Sequence, residues 1–341
     1  MKYRIAWMKG DGIGPEISDA ALEVLNSIQE SFQISFEVNF YDLGDSSKVK
    51  RGSALPDDTL NGIRLSDAAI KGPVGESAFE SIVAIRQKLD LYANIRPARS
   101  YEGLPNAGKI DVIIVRENTE DLYKGIEFEV EGVAASLRII SEKATRRIAR
   151  VAASYALKRK KHVTVVHKAN VLRVSDGLFR RVALEELGKY DLAVDEKYVD
   201  AMSMALIRNP SDFDVILTPN VYGDILSDEA SQIAGGLGFA ASANIGDSNA
   251  LFEPVHGSAP DIAGKGIANP YSMIMCISMM LNHLGISRSD NIALSASEAL
   301  SSVVEKSIKD GIITPDAGGR LKTFEVGKEI AKRVKELAQA K

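Results

Sequence analysis

Short runs of consecutive apolar residues, Ile5-Ala6-Trp7-Met8, Val112-Ile113-Ile114-Val115, Val163-Thr164-Val165-Val166 and Val215-Ile216-Leu217-Thr218, recur along this chain between longer stretches of helical period. Runs of that length without polar alternation read as short buried strands, and residues 17–28, 141–158 and 177–187 read as helices. Strand–helix alternation on this scale predicts an α/β protein with a largely parallel sheet. One segment departs from it. Gly125-Ile126-Glu127-Phe128-Glu129-Val130-Glu131 alternates strictly, as a half-exposed strand does, and is expected to belong to an antiparallel appendage at a subunit contact. With 341 residues the chain has material for about two domains of ordinary size.

Composition narrows the function classes. With 42 Lys+Arg against 46 Asp+Glu the net charge is −4, which disfavours nucleic acid or an anionic membrane as the main partner. The densest basic run, Lys158-Arg159-Lys160-Lys161-His162, closes a predicted helix, where cations complement the dipole, and reads as a solvated face. Cys276 is the single cysteine, so an internal disulfide or Cys-rich metal site is excluded. Its neighbours Met273, Ile274, Met275 and Ile277 mark it as buried. No apolar stretch is long enough to span a membrane and no secretory leader is visible, which makes the cytoplasm the expected compartment.

Two glycine-bearing loops compete for an anionic ligand. Gly10-Asp11-Gly12-Ile13-Gly14-Pro15-Glu16 joins a predicted strand to a predicted helix, but its Gly-x-Gly-x-Gly spacing does not match the Rossmann fingerprint. A tight strand-to-helix connection explains it at least equally well; the alternative is a phosphate loop with Asp42 as the ribose acid. The stretch Glu253-Pro254-Val255-His256-Gly257-Ser258-Ala259-Pro260-Asp261-Ile262-Ala263-Gly264-Lys265-Gly266-Ile267-Ala268-Asn269-Pro270 is more distinctive. It reads either as a loop whose backbone wraps a ligand or as a surface Ω-loop.

Charged residues form a second pattern. Asp224 and Asp228 stand at i and i+4 on a helix expected to begin after Gly223, a spacing that suits Mg²⁺ or Mn²⁺. The competing explanation is that Asp224 only complements a helix N-terminus. Arg86 lies in the helical stretch 77–91, Arg96 follows it, and Arg116 ends a buried strand. Such arginines are either ion-paired or offer planar forks to a carboxylate. Lys168 ends another strand, beside a His167 that reads as structural.

Together these segments resemble the β-decarboxylating dehydrogenases, the family of 3-isopropylmalate, isocitrate, homoisocitrate and tartrate dehydrogenases. The matching stretches are 10–16, 72–75, 91–97, 116–123, 167–170, 220–228, 253–270 and 314–319, in order along nearly the whole chain. The resemblance implies the isopropylmalate dehydrogenase-like fold, which is not a Rossmann fold: two α/β domains with a mixed, largely parallel sheet. A discontinuous cofactor domain would comprise 1–98 plus 236–341, and 99–235 would form the dimerisation and catalytic domain, with an antiparallel arm near 125–140. It further implies a homodimer with shared sites, open to pairing into a tetramer, and a small-molecule substrate, with no nucleic acid and no membrane.

Residue by residue, the family pattern makes Arg86, Arg96 and Arg116 the substrate-carboxylate arginines, and Tyr123 and Lys168 the catalytic pair. Asp224 and Asp228 match metal ligands of one subunit; Asp200 matches a ligand donated by the other, and Lys168 also crosses the interface. Lys168 can serve as base only if neutral, a state that nearby arginines and a divalent ion favour. Tyr123 would deliver a proton to the enol. Contacts to the dinucleotide are implied for Ile13, Asn170, His256, Gly257, Ser258, Ala259, Asn269 and Asp316. Asp261-Ile262 stands where NADP-using bacterial isocitrate enzymes carry Lys-Tyr, and a carboxylate repels a 2′-phosphate, so NAD is expected.

Substrate choice should rest on the turns preceding Arg86. Ile82 and Val83 lie at i−4 and i−3, with Phe79 at i−7, and an apolar lining there suits an isopropyl group. Isocitrate members present Ser and Asn at i−6 and i−4, where this chain has Glu80 and Ile82, and some homoisocitrate members carry Arg at the Val83 position. Against this, Arg116-Glu117-Asn118-Thr119-Glu120-Asp121-Leu122-Tyr123 looks like isocitrate and homoisocitrate members as well as archaeal-type isopropylmalate enzymes. The expected substrate is 3-isopropylmalate. Isocitrate or homoisocitrate, and a non-catalytic nucleotide-binding subunit, remain as alternatives, and Ile82 and Val83 remain open to being plain core residues.

Overall fold

In the computed structural model, residues 1–106 and 108–339 are described. The strands are β1 (Lys2–Met8), β2 (Ser35–Phe40), β3 (Ala68–Lys71), β4 (Ala93–Arg99), β5 (Asp111–Glu117), β6 (Glu127–Val130), β7 (Val133–Ser136), β8 (His162–His167), β9 (Ala193–Tyr198), β10 (Val215–Thr218), β11 (Ala241–Ile245) and β12 (Ala250–Pro254). The helices are α1 (Gly14–Phe32), α2 (Asp45–Arg51), α3 (Asp57–Leu65), α4 (Phe79–Lys88), α5 (Glu142–Ala156), α6 (Ser175–Leu187), α7 (Val199–Arg208), α8 (Asn220–Ala234), α9 (Tyr271–Arg288), α10 (Asn291–Lys309) and α11 (Thr323–Gln339).

All four apolar runs lie in buried strands of one ten-stranded sheet, ordered β2-β1-β3-β12-β11-β4-β5-β10-β8-β9. Each flank is parallel within itself. The middle is not: β12–β11, β11–β4 and β4–β5 are antiparallel. Three reversals in succession leave the β5 flank running opposite to the β1 flank, so the sheet is mixed and largely parallel, as the family resemblance implied. Burial pattern could not reveal this, because a strand covered on both faces looks the same in either direction. The alternating 125–131 segment enters a two-stranded antiparallel ribbon, β6 with β7, whose Phe128, Val130 and Val133 stand exposed.

Local chemistry sets the helix starts. Pro15 opens α1. The Ser141 hydroxyl accepts from Ala144 N at 3.2 Å ahead of α5, and Asp290 accepts from Ile292 N at 2.9 Å ahead of α10; each such cap stabilises by about 1 kcal/mol. Helix α9 is apolar nearly all round and is packed against β11 and β12, with Cys276 fully buried in it. The glycine loop at 10–14 is a packing element. A Cβ on Gly12 would meet Ser258 O at 1.9 Å, and Asp11 accepts the backbone N–H groups of Asp45, Ser46 and Gly75. Among the described residues no helix is long and apolar enough to cross a membrane.

Candidate active site

The antiparallel step between β4 and β5 pairs Asn94 with Arg116, and it places the start of one strand beside the end of the other. Helix α4 delivers Arg86 just before that junction, and α8 follows β10 on the far side. Arg116 is 1 % exposed, and its Nη1 reaches Asp224 Oδ1 at 2.5 Å. Arg96 Nη1 lies 3.1 Å from the same oxygen and 3.4 Å from Asp228 Oδ1. The Tyr123 hydroxyl donates to Asp224 Oδ2, and its ring lies under the Arg116 guanidinium. Five of the sequence-predicted residues therefore meet, and Arg86 stands behind them on Glu253 at 2.8 Å.

Not all of the arginine donors are used. Arg86 Nε and Arg116 Nη2 are buried without a hydrogen-bond partner, an arrangement that costs free energy unless an acceptor arrives. A bound carboxylate would supply it. The guanidinium groups are held by a polar chain running through the sheet. Arg96 Nε donates to Asn94 Oδ1, Asn94 Nδ2 to Asn244 Oδ1, and Asn244 Nδ2 to Glu253 Oε1, at 2.7, 2.9 and 2.7 Å. Asn118 also donates to Asn244. Glu253 in turn faces Lys71 Nζ at 2.6 Å, both side chains being almost fully buried. Sequence reading assigned no role to Lys71 or Asn244. A lysine closing the apolar strand Ala68-Ala69-Ile70-Lys71 was the available signal, since a buried ammonium requires a counter-charge.

Electrostatics separate the two aspartates. Burial alone would raise Asp224, but Arg116 and Arg96 hold it below the ordinary carboxylate range. Asp228, half desolvated and with Asp224 beside it, is raised despite Arg96. Burial also raises Tyr123, which keeps it a neutral proton donor near pH 7, and pushes Arg116 down to about 9, with Arg96 adding repulsion. Helix α8 begins at Asn220 rather than after Gly223, so Asp224 lies beyond the first turn and the dipole explanation fails. Gly223 has a separate reason: a Cβ there would sit 2.5 Å from Arg116 Cγ.

Ile82 is a core residue. It is 5 % exposed among Met8, Ile85 and Leu91, whereas Val83 is half-buried. Phe79 is exposed, with its ring 6.4 Å from that of Tyr123. The same helical face was expected to carry all three; the packing of α4 against the β1 flank takes Ile82 inward.

Lys168 and Asp200 lie elsewhere. Lys168 Nζ pairs with Asp200 Oδ1 at 2.6 Å, and Asp200 is largely exposed. Within one chain Lys168 thus faces a carboxylate, not the expected arginines. Among the described residues no three His, Cys, Asp or Glu side chains gather to hold an ion. Asp224 and Asp228 offer hard oxygen donors on one helix face, and the raised Asp228 lacks a cation of its own beyond Arg96. That donor pair fits a divalent ion if a further carboxylate comes from outside the chain.

A cavity of about 360 Å³ is lined by Ile13, Gly238, His256, Gly257, Ala259, Ile262, Ile267, Ala268, Asn269 and Asp316. Seven of the positions expected at the dinucleotide are among them. Ser258 adjoins through its backbone, its carbonyl accepting from Ile13 N at 2.9 Å. Asp261 is exposed beside Ile262. Asn269 Nδ2 donates to Asp316 Oδ2 at 3.0 Å, which joins two loops 47 residues apart. Asn170 is exposed beyond β8, two residues from Lys168. Asp42 is engaged by Lys50. Within the 158–162 run, Arg159 pairs with Asp111 and Asp214 and Lys161 with Asp191.

Comparison with known proteins bears on the whole arrangement. The family model described as isocitrate/isopropylmalate dehydrogenase matches residues 4–330. A 3-isopropylmalate dehydrogenase of Sulfurisphaera tokodaii is 49% identical over 97% of this chain and 98% of its own length. A homoisocitrate dehydrogenase of Methanocaldococcus jannaschii is 43% identical over 96% of each. The crystal structure of isocitrate dehydrogenase from Methylococcus capsulatus superposes with a TM-score of 0.90 at 41% identity, covering 98% of this chain and 99% of that one.

Proposed function

Because this chain belongs to the isocitrate/isopropylmalate dehydrogenase family, we propose that it catalyses the NAD-dependent oxidative decarboxylation of (2R,3S)-3-isopropylmalate to 4-methyl-2-oxopentanoate and CO₂, a step of leucine biosynthesis, in the cytoplasm. The observation that carries this reading is the set of three converging guanidinium groups, with buried N–H donors unspent on Arg86 and Arg116, around Tyr123 and two aspartates. A dicarboxylate fills those donors. Phe79, whose ring lies beside that of Tyr123, gives the mouth an apolar side, and Val83 one turn further along α4 would extend it, which suits a branched alkyl group better than a third carboxylate.

Asp224 and Asp228, joined by Asp200 of a second copy, would hold Mg²⁺ or Mn²⁺, and the loop of His256, Asp261, Asn269 and Asp316 would hold NAD. When bound, the divalent ion would supply Lewis acidity and the dinucleotide a hydride acceptor. The chain's own groups do the rest. The arginine forks bind and orient both carboxylates. Lys168 of the second copy takes the hydroxyl proton, and Tyr123 returns a proton to the enol carbon. Asn170 travels with Lys168 and would reach the same neighbouring cofactor.

The homodimer is proposed on two supports. Lys168 and Asp200 are exposed to some degree and spend themselves on each other, with neither contacting the Asp224 group. The ribbon together with Met204, Ile207 and Ile225 on α7 and α8 also leaves an apolar surface that a second copy would cover. The domain division at 1–98 plus 236–341 and 99–235 is proposed with its hinge at the β4–β5 step.

The test is steady-state reduction of NAD and NADP with 3-isopropylmalate, isocitrate and homoisocitrate, with and without Mg²⁺. Burial of the isopropyl group, about 1.5–3 kcal/mol, predicts a kcat/KM for 3-isopropylmalate at least about tenfold above the others. NAD should be preferred, and chelation should abolish turnover until Mg²⁺ is restored. A higher kcat/KM for isocitrate or homoisocitrate overturns the substrate assignment.

A further inference from the structure

Tyr123, Lys168 and Asp224 are carried on three separate segments, a turn, a strand end and a helix, yet one side chain stands between the backbone supports of all three. Asp121 begins the turn that carries Tyr123, at a φ of 67°. Its carboxylate accepts from Leu122 N at 2.9 Å and from Val221 N at 2.9 Å, in the first turn of α8. Asp176, at the start of α6, accepts from the backbone N of Lys168 at 2.6 Å. Both carboxylates are fully buried at 0 % exposure.

A single cation faces the pair. Arg138 leaves the foot of the β6–β7 ribbon and places Nε 2.6 Å from Asp121 Oδ1 and Nη1 2.9 Å from Asp176 Oδ1. Nη2 donates to Asp121 Oδ2 at 3.3 Å and Nη1 to the Tyr222 hydroxyl at 2.6 Å, and the guanidinium lies 4.4 Å from the centre of that ring. Tyr222 is two residues before Asp224. The next residue of the ribbon exit, Ile139, accepts from Asp121 N at 2.8 Å.

We propose that Arg138 is a positioning residue for this reaction: its planar fork holds Asp121 and Asp176 at a set separation, and through them fixes the Tyr123 turn, the start of α8 and the Lys168 backbone. The inference rests on the roles proposed above for those three residues. The physical case is that two buried carboxylates repel when left without a cation, and a planar fork reaches both at ion-pair distance while lying against the Tyr222 ring. A lysine keeps the charge and loses the geometry. Arg138 touches neither substrate nor cofactor in this scheme, so its removal should slow turnover without weakening carboxylate binding by Arg86, Arg96 and Arg116.

The parent is assayed first, with whichever of 3-isopropylmalate, isocitrate or homoisocitrate it turns over; this step alone decides the substrate assignment. In Arg138→Met, kcat should fall by about 10²-fold, the loss that a misplacement of about 1 Å can produce, with KM changed by less than about threefold. Arg138→Lys should recover part of this, standing about tenfold below the parent at unchanged KM. Amide hydrogen exchange at Val221 and Lys168 should quicken in the Met variant. A kcat for Arg138→Met within about threefold of the parent overturns the proposal, as do kcat and KM shifting together with the Lys variant no better than the Met one. Should Arg138→Met not fold, Arg138→Lys decides: a loss of about tenfold at constant KM supports it, and a kcat within about twofold of the parent refutes it.

Discussion

Mixing a Lys168→Met variant with a Tyr123→Phe variant should restore about a quarter of parental turnover after the two are unfolded and refolded together, although each alone has lost about 10²–10⁴-fold. In the shared-site homodimer, a mixed dimer pairs the intact Tyr123 of one copy with the intact Lys168 of the other. One site in such a dimer is then complete and its second site is doubly defective. Random pairing makes half of the dimers mixed, with half of their sites active. The structure motivates the test because Lys168 is drawn to Asp200, not to the cluster of Asp224, Tyr123 and the arginines. If no activity returns while both variants refold and associate, Lys168 and Tyr123 serve the same chain and the shared-site dimer is wrong.

The second large effect concerns stability. Glu253→Gln should lower unfolding free energy at neutral pH by about 3–5 kcal/mol, read from urea midpoints, because it leaves the buried Lys71 and Arg86 cations uncompensated. Burial alone would raise the Glu253 pKa; Lys71 and Arg86 overcome that and hold it well below the usual carboxylate range. A carboxyl whose folded pKa lies below its unfolded value contributes stability above the unfolded value of 4.5 and loses it as pH falls toward the folded one. The gap between parent and variant should therefore be constant near neutrality and shrink below about pH 4.5. A gap under about 1 kcal/mol, or one indifferent to acid, would mean that the triad does not hold the sheet in this way.

Some of the site is legible in the sequence. Arg116 ends an apolar strand, Arg86 and Arg96 fall on and after one helix, and Asp224 and Asp228 stand at i and i+4 on another, a placement that the sequence shows directly. The loop after Glu253 was visible because its composition fits no regular element. Lys71 showed only as a lysine closing an apolar strand, and Asn244 and Arg138 carried no signal at all. Their roles depend on counter-charges at Glu253, Asp121 and Asp176 that local pattern cannot pair, and Arg138 lies in a segment that reads as an exposed arm. The burial of Ile82 was hidden for a related reason: helical spacing gives a face, but the neighbouring layer decides which part of that face is covered.

Apolar periodicity, caps and turn residues determined where the principal strands and helices of this protein lie, since those preferences act over a few residues and are written in them. The residues that resemble the dehydrogenase family could likewise be named from the chain alone. The reversal of strand direction at β12–β11–β4–β5, and with it the meeting of Arg116 with Asp224 across 108 residues, belongs to the tertiary structure. Strand direction follows from the path of the whole chain between layers. A buried charge finds its partner only once that path has closed, and for this reason the ion pairs of the site had to be seen folded.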